Sequence, residues 1–151
     1  MAEILNDIRK WLLTETTITD VVSTRIWKYE ARTISDVILG ETGSRALVID
    51  MLPGFDYNPM SSQQDGILEA KNYASNSMSS NKKTADDGMD RCWAMYYVTD
   101  AILNRVSREI KELTNFMILG IFRNGNPVEQ FDDQHKCPYI VANYEMEYLL
   151  S

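Results

Sequence analysis

The chain has 151 residues, of which 44% are apolar, and 15 Lys or Arg residues against 22 Asp or Glu residues give a formal net charge of −7. A domain of this length can bury a sizeable core without disulfides or a structural metal. The acidic residues are spread along the chain and the longest basic run is the pair Lys82 and Lys83, which argues against a phosphate-binding groove for nucleic acid. The first turn carries Glu3 and Asp7 in place of the basic residues that begin a signal peptide. The longest apolar run, 116–122, is far shorter than the ~20 residues of a membrane-spanning helix. We therefore expect a soluble intracellular protein whose two cysteines are free thiols.

The first third of the chain predicts two helices followed by two strands. Residues 2–13 space their apolar side chains three and four positions apart, as an amphipathic helix does. Thr17 and Asp20 resemble a capping box at the start of a short second helix. Residues 25–31 alternate as a half-buried strand, and 45–52 form a second β-rich run.

The segment 53–91 is mostly polar. Within it, 66–74 has modest strand character, whereas 75–90 is a tract of Ser, Asn, Lys and Asp that buries too little apolar area to order itself. We predict a single domain over 1–151 with a long polar insertion at about 53–91. Loops of this length in small domains are usually functional or disordered.

The rest of the chain predicts one long helix and two strands. Apolar residues step by three and four across 92–113, and 116–122 forms an apolar strand. A turn at 123–127 and an acidic loop then lead to 139–150, which alternates between apolar and polar side chains. The predicted order is αα-ββ-β-α-ββ, an α+β fold with helices packed on one face of a small, mainly antiparallel sheet.

Few residues offer catalytic chemistry. His135 is the one histidine, which excludes mechanisms that need two imidazoles, and the sequence has neither a P-loop nor a nucleophile elbow. The run 132–137 combines two carboxylates, an imidazole and a thiol, which suit a borderline metal ion, although a solvated turn is the simpler interpretation. Asp86, Asp87 and Asp90 fit a helix cap better than a metal site. We predict no enzyme, no catalytic residue, no cofactor and no bound metal.

Two surface features favour assembly. The alternating C-terminal strand offers an edge to another chain, and the polar insertion can order against a neighbour. We predict an interaction surface in the polar, irregular segments, made of Phe55, Asp56, Tyr57, Ser77, Met78, Lys82, Lys83, Arg123, Asn124, Asn126, Glu129, Asp132 and Asp133.

The order of these features resembles the tail terminator (tail completion, or neck) proteins of long-tailed bacteriophages. The similar elements are the N-terminal helix, the small helix that runs into the Arg-Ile strand at 18–27, the strand at 46–50, the helix at 92–113, the strand at 116–122, and the acidic turn at 131–133 before the strand at 139–148. The tract 75–90 is longer than the loop expected at that place.

The resemblance implies structural work in a virion. Such proteins form a ring, commonly of six subunits, that caps the head-proximal end of the tail tube, stops its growth and docks the head connector. An acidic lumen would let DNA pass without specific binding, and the protein would be found in the tail or neck after assembly in the host cytoplasm. The alternatives are a neighbouring head-closure protein, a small metal-binding domain or enzyme that uses 132–137, and a cellular binding module in which the long loop covers a ligand.

Overall fold

The computed structural model of the protein describes residues 2–29, 45–52, 63–74, 85–106, 109–133 and 137–150. Within these residues it contains three helices, α1 (Ala2–Thr14), α2 (Thr16–Val22) and α3 (Ala85–Arg105). It also contains seven strands: β1 (Ile26–Lys28), β2 (Arg45–Leu52), β3 (Gln63–Ala74), β4 (Lys111–Glu112), β5 (Phe116–Arg123), β6 (Val128–Asp132) and β7 (Cys137–Leu150). The predicted combination of helices with one sheet is confirmed.

The sheet is mixed. β1 runs parallel to β2, whereas the other described pairings are antiparallel. The path of paired strands is β1-β2-β3-β7-β5-β4, and β6 also pairs with β7. The predicted element order matches only in part, because it omitted β4 and placed an acidic loop where β6 forms.

β7 lies in the interior of the sheet. One of its sides pairs with β3 along most of its length. Its other side is divided, since residues 137–141 pair with β6 and residues 144–150 pair with β5. Burial confirms the predicted alternation over 139–150. The prediction that this strand offers a free edge is wrong, because both of its sides are occupied.

β3 crosses the segment that was predicted to be a polar insertion, and it is longer than the predicted strand at 66–74. Two of its buried positions hold residues that carry little hydrophobic signal. A Cβ at Gly66 would lie 2.5 Å from Met51 Cε, so a larger residue there would require the Met51 side chain to move. Asn72 is fully buried, and its Oδ1 accepts a hydrogen bond of 2.9 Å from Thr99 Oγ1. Such positions satisfy the strand without looking apolar.

α1 forms where the sequence predicts it and buries Ile4, Leu5, Ile8, Trp11 and Leu12. It touches both ends of the sheet. On one side, Arg9 Nε donates a 2.5 Å hydrogen bond to the carbonyl of Ile26 in β1. On the other, the backbone and side-chain nitrogens of Asn115, just before β5, donate to Asp7 Oδ2 at 3.0 Å. The sheet therefore curls around the helices.

α2 begins differently from the prediction. Thr17 and Asp20 do not cap it; the N-cap residue is Glu15, whose side chain makes no capping hydrogen bond. The Glu15 carboxylate instead accepts hydrogen bonds from Trp11 Nε1 at 3.0 Å and from Arg105 at 2.6 Å. Contacts with α1 and α3 have thus replaced the local cap.

α3 is displaced toward the N-terminus relative to the predicted helix at 92–113. It begins at Ala85, so the expectation that all of 75–90 lacks order is wrong from that residue onward. It ends at Arg105, before the predicted end at 113, and residues 111–112 belong to the sheet instead: β4 pairs with β5, and Leu113 N donates to the carbonyl of Phe116 at 2.9 Å. Ile110, which the periodicity placed on the buried stripe, is 62% exposed.

The main core lies between the helices and one side of the sheet, which we call the helix face. Tyr96 of α3, Ile49 of β2 and Tyr144 of β7 are almost completely buried there. The side chains that point away from the helices form the far face. It holds a second, smaller cluster that includes Val48 and Cys137.

Candidate assembly surface

Carboxylates gather on the far face. Strand alternation places there the five members of what we call the acidic band, namely Asp50, Asp65, Glu69, Glu145 and Glu147. They come from three adjacent strands, and all five are exposed or half-buried. Asp50 lies directly opposite Glu69, and Asp65 lies directly opposite Glu147.

These two pairings bring like charges together. Side chains directly opposite in an antiparallel pair have Cβ atoms about 4.5–5.5 Å apart, and like charges at such positions are destabilising. Lys71 Nζ, 3.7 Å from Glu69 Oε1, offsets part of one pairing. The arrangement of the acidic band is therefore not one that stability alone favours.

The other end of the far face is aromatic. Tyr73 and Tyr139 stack with ring centroids 4.7 Å apart, and Trp27 packs against the same cluster. Tyr73 Oη donates a 3.3 Å hydrogen bond to Asp132 Oδ2. Burial, together with the nearby Asp132 carboxylate, raises the pKa of Tyr73, so its hydroxyl stays a donor. The acidic band is thus bounded by an apolar, packed region.

The described part of the predicted interaction surface lies in one continuous stretch of chain. It runs from the end of β5 through the turn into β6, and we call its second half, residues 128–133, the β6 edge. The structure brings to this stretch Arg123, Asn124, Asn126, Glu129, Asp132 and Asp133. The remaining predicted residues lie outside the described residues; they are Phe55, Asp56, Tyr57, Ser77, Met78, Lys82 and Lys83.

Some of these predicted side chains also fasten the edge to α3. Arg123 Nη1 donates a 2.9 Å hydrogen bond to Tyr96 Oη, and this contact raises the pKa of the exposed Arg123 guanidinium. Trp93 Nε1 donates to Glu129 Oε1 at 2.7 Å. Asp133, in contrast, is exposed at the end of β6. The edge therefore combines anchoring contacts with outward-facing charge.

The sequence interpretation missed the apolar side chains of this stretch. Phe122, Val128 and Phe131 are between 46% and 53% exposed. Val128 and Phe131 follow a Gly-Asn-Pro turn and precede the next strand, a placement that favours a hairpin partner over an acidic loop. In the described part of the chain, β7 is the one strand that pairs with β6. Among the described residues, the outer side of β6 therefore presents backbone groups beside exposed apolar side chains.

The run 132–137 does not assemble the chemistry that its residue types suggest. Asp132 and Cys137 are partners across the β6–β7 hairpin, and Tyr73 already donates to the Asp132 carboxylate. Burial raises the pKa of the Cys137 thiol to about 12, so the thiolate that a metal or a nucleophilic reaction needs is disfavoured. His135 lies outside the described residues. Among the described residues, no group of three or more His, Cys, Asp or Glu side chains is placed to hold a metal.

Cys92 is also a core residue. It lies on α3, as its position on the apolar stripe predicts, and its Sγ donates to the carbonyl of Pro138 at 3.3 Å. Burial raises the pKa of the Cys92 thiol to about 12. The contact ties α3 to the start of β7, which is a structural role.

A polar network joins α3 to the middle of β7. Tyr144 Oη donates to Asp100 Oδ1 and Asn104 Nδ2 donates to Asp100 Oδ2, both at 2.8 Å. Burial and the Asp100 carboxylate raise the pKa of Tyr144, so the tyrosine remains protonated and keeps its hydrogen bond. The network fixes the strand that carries Glu145 and Glu147 on its opposite face.

Comparison of the sequence with known protein families and with curated proteins gives no match. None of the helices in the described residues combines the length and apolarity needed to cross a bilayer.

Proposed function

We propose that the chain is a structural virion protein, a tail-terminator-like ring subunit. Its ring caps the head-proximal end of a phage tail tube, stops the polymerisation of the tube and provides the docking surface for the head connector. Its partners are further copies of itself, the tail tube protein and the head connector, and DNA passes through the ring without specific binding. The protein is assembled in the host cytoplasm and resides in the tail or neck.

The acidic band is the observation that carries the proposal. Two directly opposed like-charge pairs lower the stability of the fold. A role in the wall of a passage for DNA would favour these carboxylates in spite of that loss. Closely spaced carboxylates repel the phosphate backbone and prevent it from sticking to the wall. We assign the acidic band to the lumen of the ring.

The fold supports the same proposal. The element order on which the resemblance rests predicts helices on one face of a mainly antiparallel sheet, and α1, α2 and α3 all contribute to the core on the helix face. The far face is not covered by these helices and can therefore form a separate surface of the assembly. The head-closure alternative has no observation of its own, and the buried Cys137 thiol speaks against the metal-site alternative.

The direct test is to disable the gene in its phage and to measure tail lengths by negative-stain microscopy. We expect overlong tails and loss of infectivity, because nothing stops the growth of the tube. The purified protein should form rings, alone or on added tail tubes. Matched complementation with the wild-type gene restores tail length.

Two results would overturn the proposal. Tails of normal length in the knockout would exclude a terminator. Recovery of the protein on separated heads, and not on separated tails, would assign it to head closure instead.

A further inference from the structure

β1 and β6 lie at the two ends of one row of the sheet. The strand registers connect Trp27 to Val48, Val48 to Lys71, Lys71 to Val141 and Val141 to Val128. Adjacent strands are about 4.8 Å apart, so this row is about 19 Å wide. Within the described residues, this row of the sheet thus ends in two different surfaces.

The two ends differ in charge. The β6 edge carries Glu129, Asp132 and Asp133. At the other end, the α1–β1 corner consists of Arg9, Arg25, Lys28 and Tyr29.

Each end also exposes apolar surface. At the corner, Tyr29 is 46% exposed. At the β6 edge, Val128 lies opposite Val141 and Phe131 lies opposite Pro138. Val128 and Phe131 are three residues apart, so their side chains point to opposite faces of the sheet. An apolar contact framed by complementary charge is typical of a specific protein interface.

We propose that the β6 edge of one subunit docks on the α1–β1 corner of a second copy of this chain. A pairing of two β6 edges would bring like charges together, whereas the edge and the corner attract each other. Because the joined surfaces are unlike, the contact is head-to-tail, and it generates a ring when the rotation between subunits closes. The inference rests on the proposed function in one respect, that a terminator is a ring, and it adds which surfaces join the subunits.

Two variants each remove one half of the junction. The edge variant is Val128→Ser with Phe131→Ser, which removes the apolar contact without adding negative charge that the basic corner would attract. The corner variant is Lys28→Glu with Tyr29→Gly; glycine accepts the backbone φ of 72° that Tyr29 adopts, so the chain path is retained. Ile110→Glu is the matched control, because Ile110 is 62% exposed but belongs to neither surface.

Sedimentation velocity on the purified proteins gives the readout. Wild type and the Ile110→Glu control should assemble, and each variant alone should associate at least about tenfold more weakly. An equimolar mixture of the two variants should form heterodimers and nothing larger, because each pair of subunits retains one intact junction. Circular dichroism melts check that each variant is folded, and the single change Phe131→Ser replaces the double change if the edge variant unfolds.

Other results would overturn the interface. A corner variant that associates as wild type does, a mixture without heterodimers, or a wild type that stays monomeric both alone and on tail tubes would each exclude it. Rings formed by both variants would reject this interface while leaving the proposed function standing. Heterodimers in the mixture together with normal tail length in the knockout would support this interface and exclude the proposed function.

Discussion

β7 builds two unlike surfaces from alternate residues. Tyr144, Met146 and Tyr148 point to the helix face and are at most 4% exposed, whereas Glu145 and Glu147 between them point to the far face and are exposed. The first set is chosen by burial, which contributes about 1.5–3 kcal/mol for each large apolar side chain. The second set includes a like-charge pairing that stability disfavours by about 0.2–1 kcal/mol. Burial on the helix face therefore stabilises the fold by more than the opposed carboxylates on the far face destabilise it.

The largest expected effect comes from the helix face. Tyr144→Ala removes a buried ring and its hydrogen bond to Asp100, so we expect the free energy of unfolding to fall by about 3–5 kcal/mol. Glu145→Ala, one residue along the same strand, should change it by less than about 0.5 kcal/mol. Urea denaturation of the two variants measures both values. Similar losses would mean that the two faces do not differ as described.

The sequence predicts the helix face better than the edges of the sheet. The alternation over 139–150 and the apolar spacing of α1 are strong local patterns, because burial alone selects those residues. β3 carried a weaker pattern, since Gly66 and Asn72 fill buried positions that only their partners on other elements explain. The end of α3 was misplaced for a similar reason: pairing of β4 with β5 took residues that the helical period claimed.

The candidate assembly surface shows the same contrast between local sequence patterns and long-range strand pairing. The sequence identified Glu129, Asp132 and Asp133 as surface residues because they are charged and lie near a turn. It assigned the free edge to β7, whereas the strands that pair on one side only, within the described residues, are β1, β4 and β6. Strand neighbours are set by long-range pairing, which a single sequence pattern does not encode. The opposed carboxylates of the acidic band also became visible only with the register.

A second prediction uses one cysteine from each side of the sheet. Cys92 lies in the main core and Cys137 in the far-face cluster, and burial raises the pKa of each thiol from 9.0 to about 12. The unfolded chain therefore releases the thiol protons first as the pH rises, and stability falls with pH above about 9. Between pH 9 and pH 10 we expect a loss of about 1 kcal/mol for each thiol. Urea denaturation at the two pH values measures it.

Single-cysteine variants separate the two sides of the sheet. Cys92→Ala and Cys137→Ala should each remove about 1 kcal/mol of the loss between pH 9 and pH 10. Buried tyrosines whose pKa is also raised, such as Tyr73 and Tyr144, add to the total loss and are unchanged in both variants. If Cys137→Ala leaves the loss unchanged, the thiol of the far-face cluster is not dry, and the two sides of the sheet differ more than the structure indicates.

A third prediction concerns polar matching on the helix face. Thr99→Val preserves the shape of the side chain but leaves the buried Asn72 Oδ1 without the donor that Thr99 supplies. We expect a loss on the order of 1.5 kcal/mol. A double-mutant cycle with Asn72→Ala should give a coupling of at least about 0.5 kcal/mol. Additive effects would show that the hydrogen bond contributes nothing beyond packing.

The smallest expected effect has the opposite sign and tests the far face. Glu147→Gln removes the like-charge pairing with Asp65, so we expect the free energy of unfolding to rise by about 0.2–1 kcal/mol at low salt. The gain should shrink as salt screens the exposed carboxylates. Glu69→Gln is the matched control, and it should gain less because it also loses its ion pair with Lys71. A destabilised Glu147→Gln protein at low salt would mean that this carboxylate is held by favourable contacts, and the acidic band would then need no function to explain it.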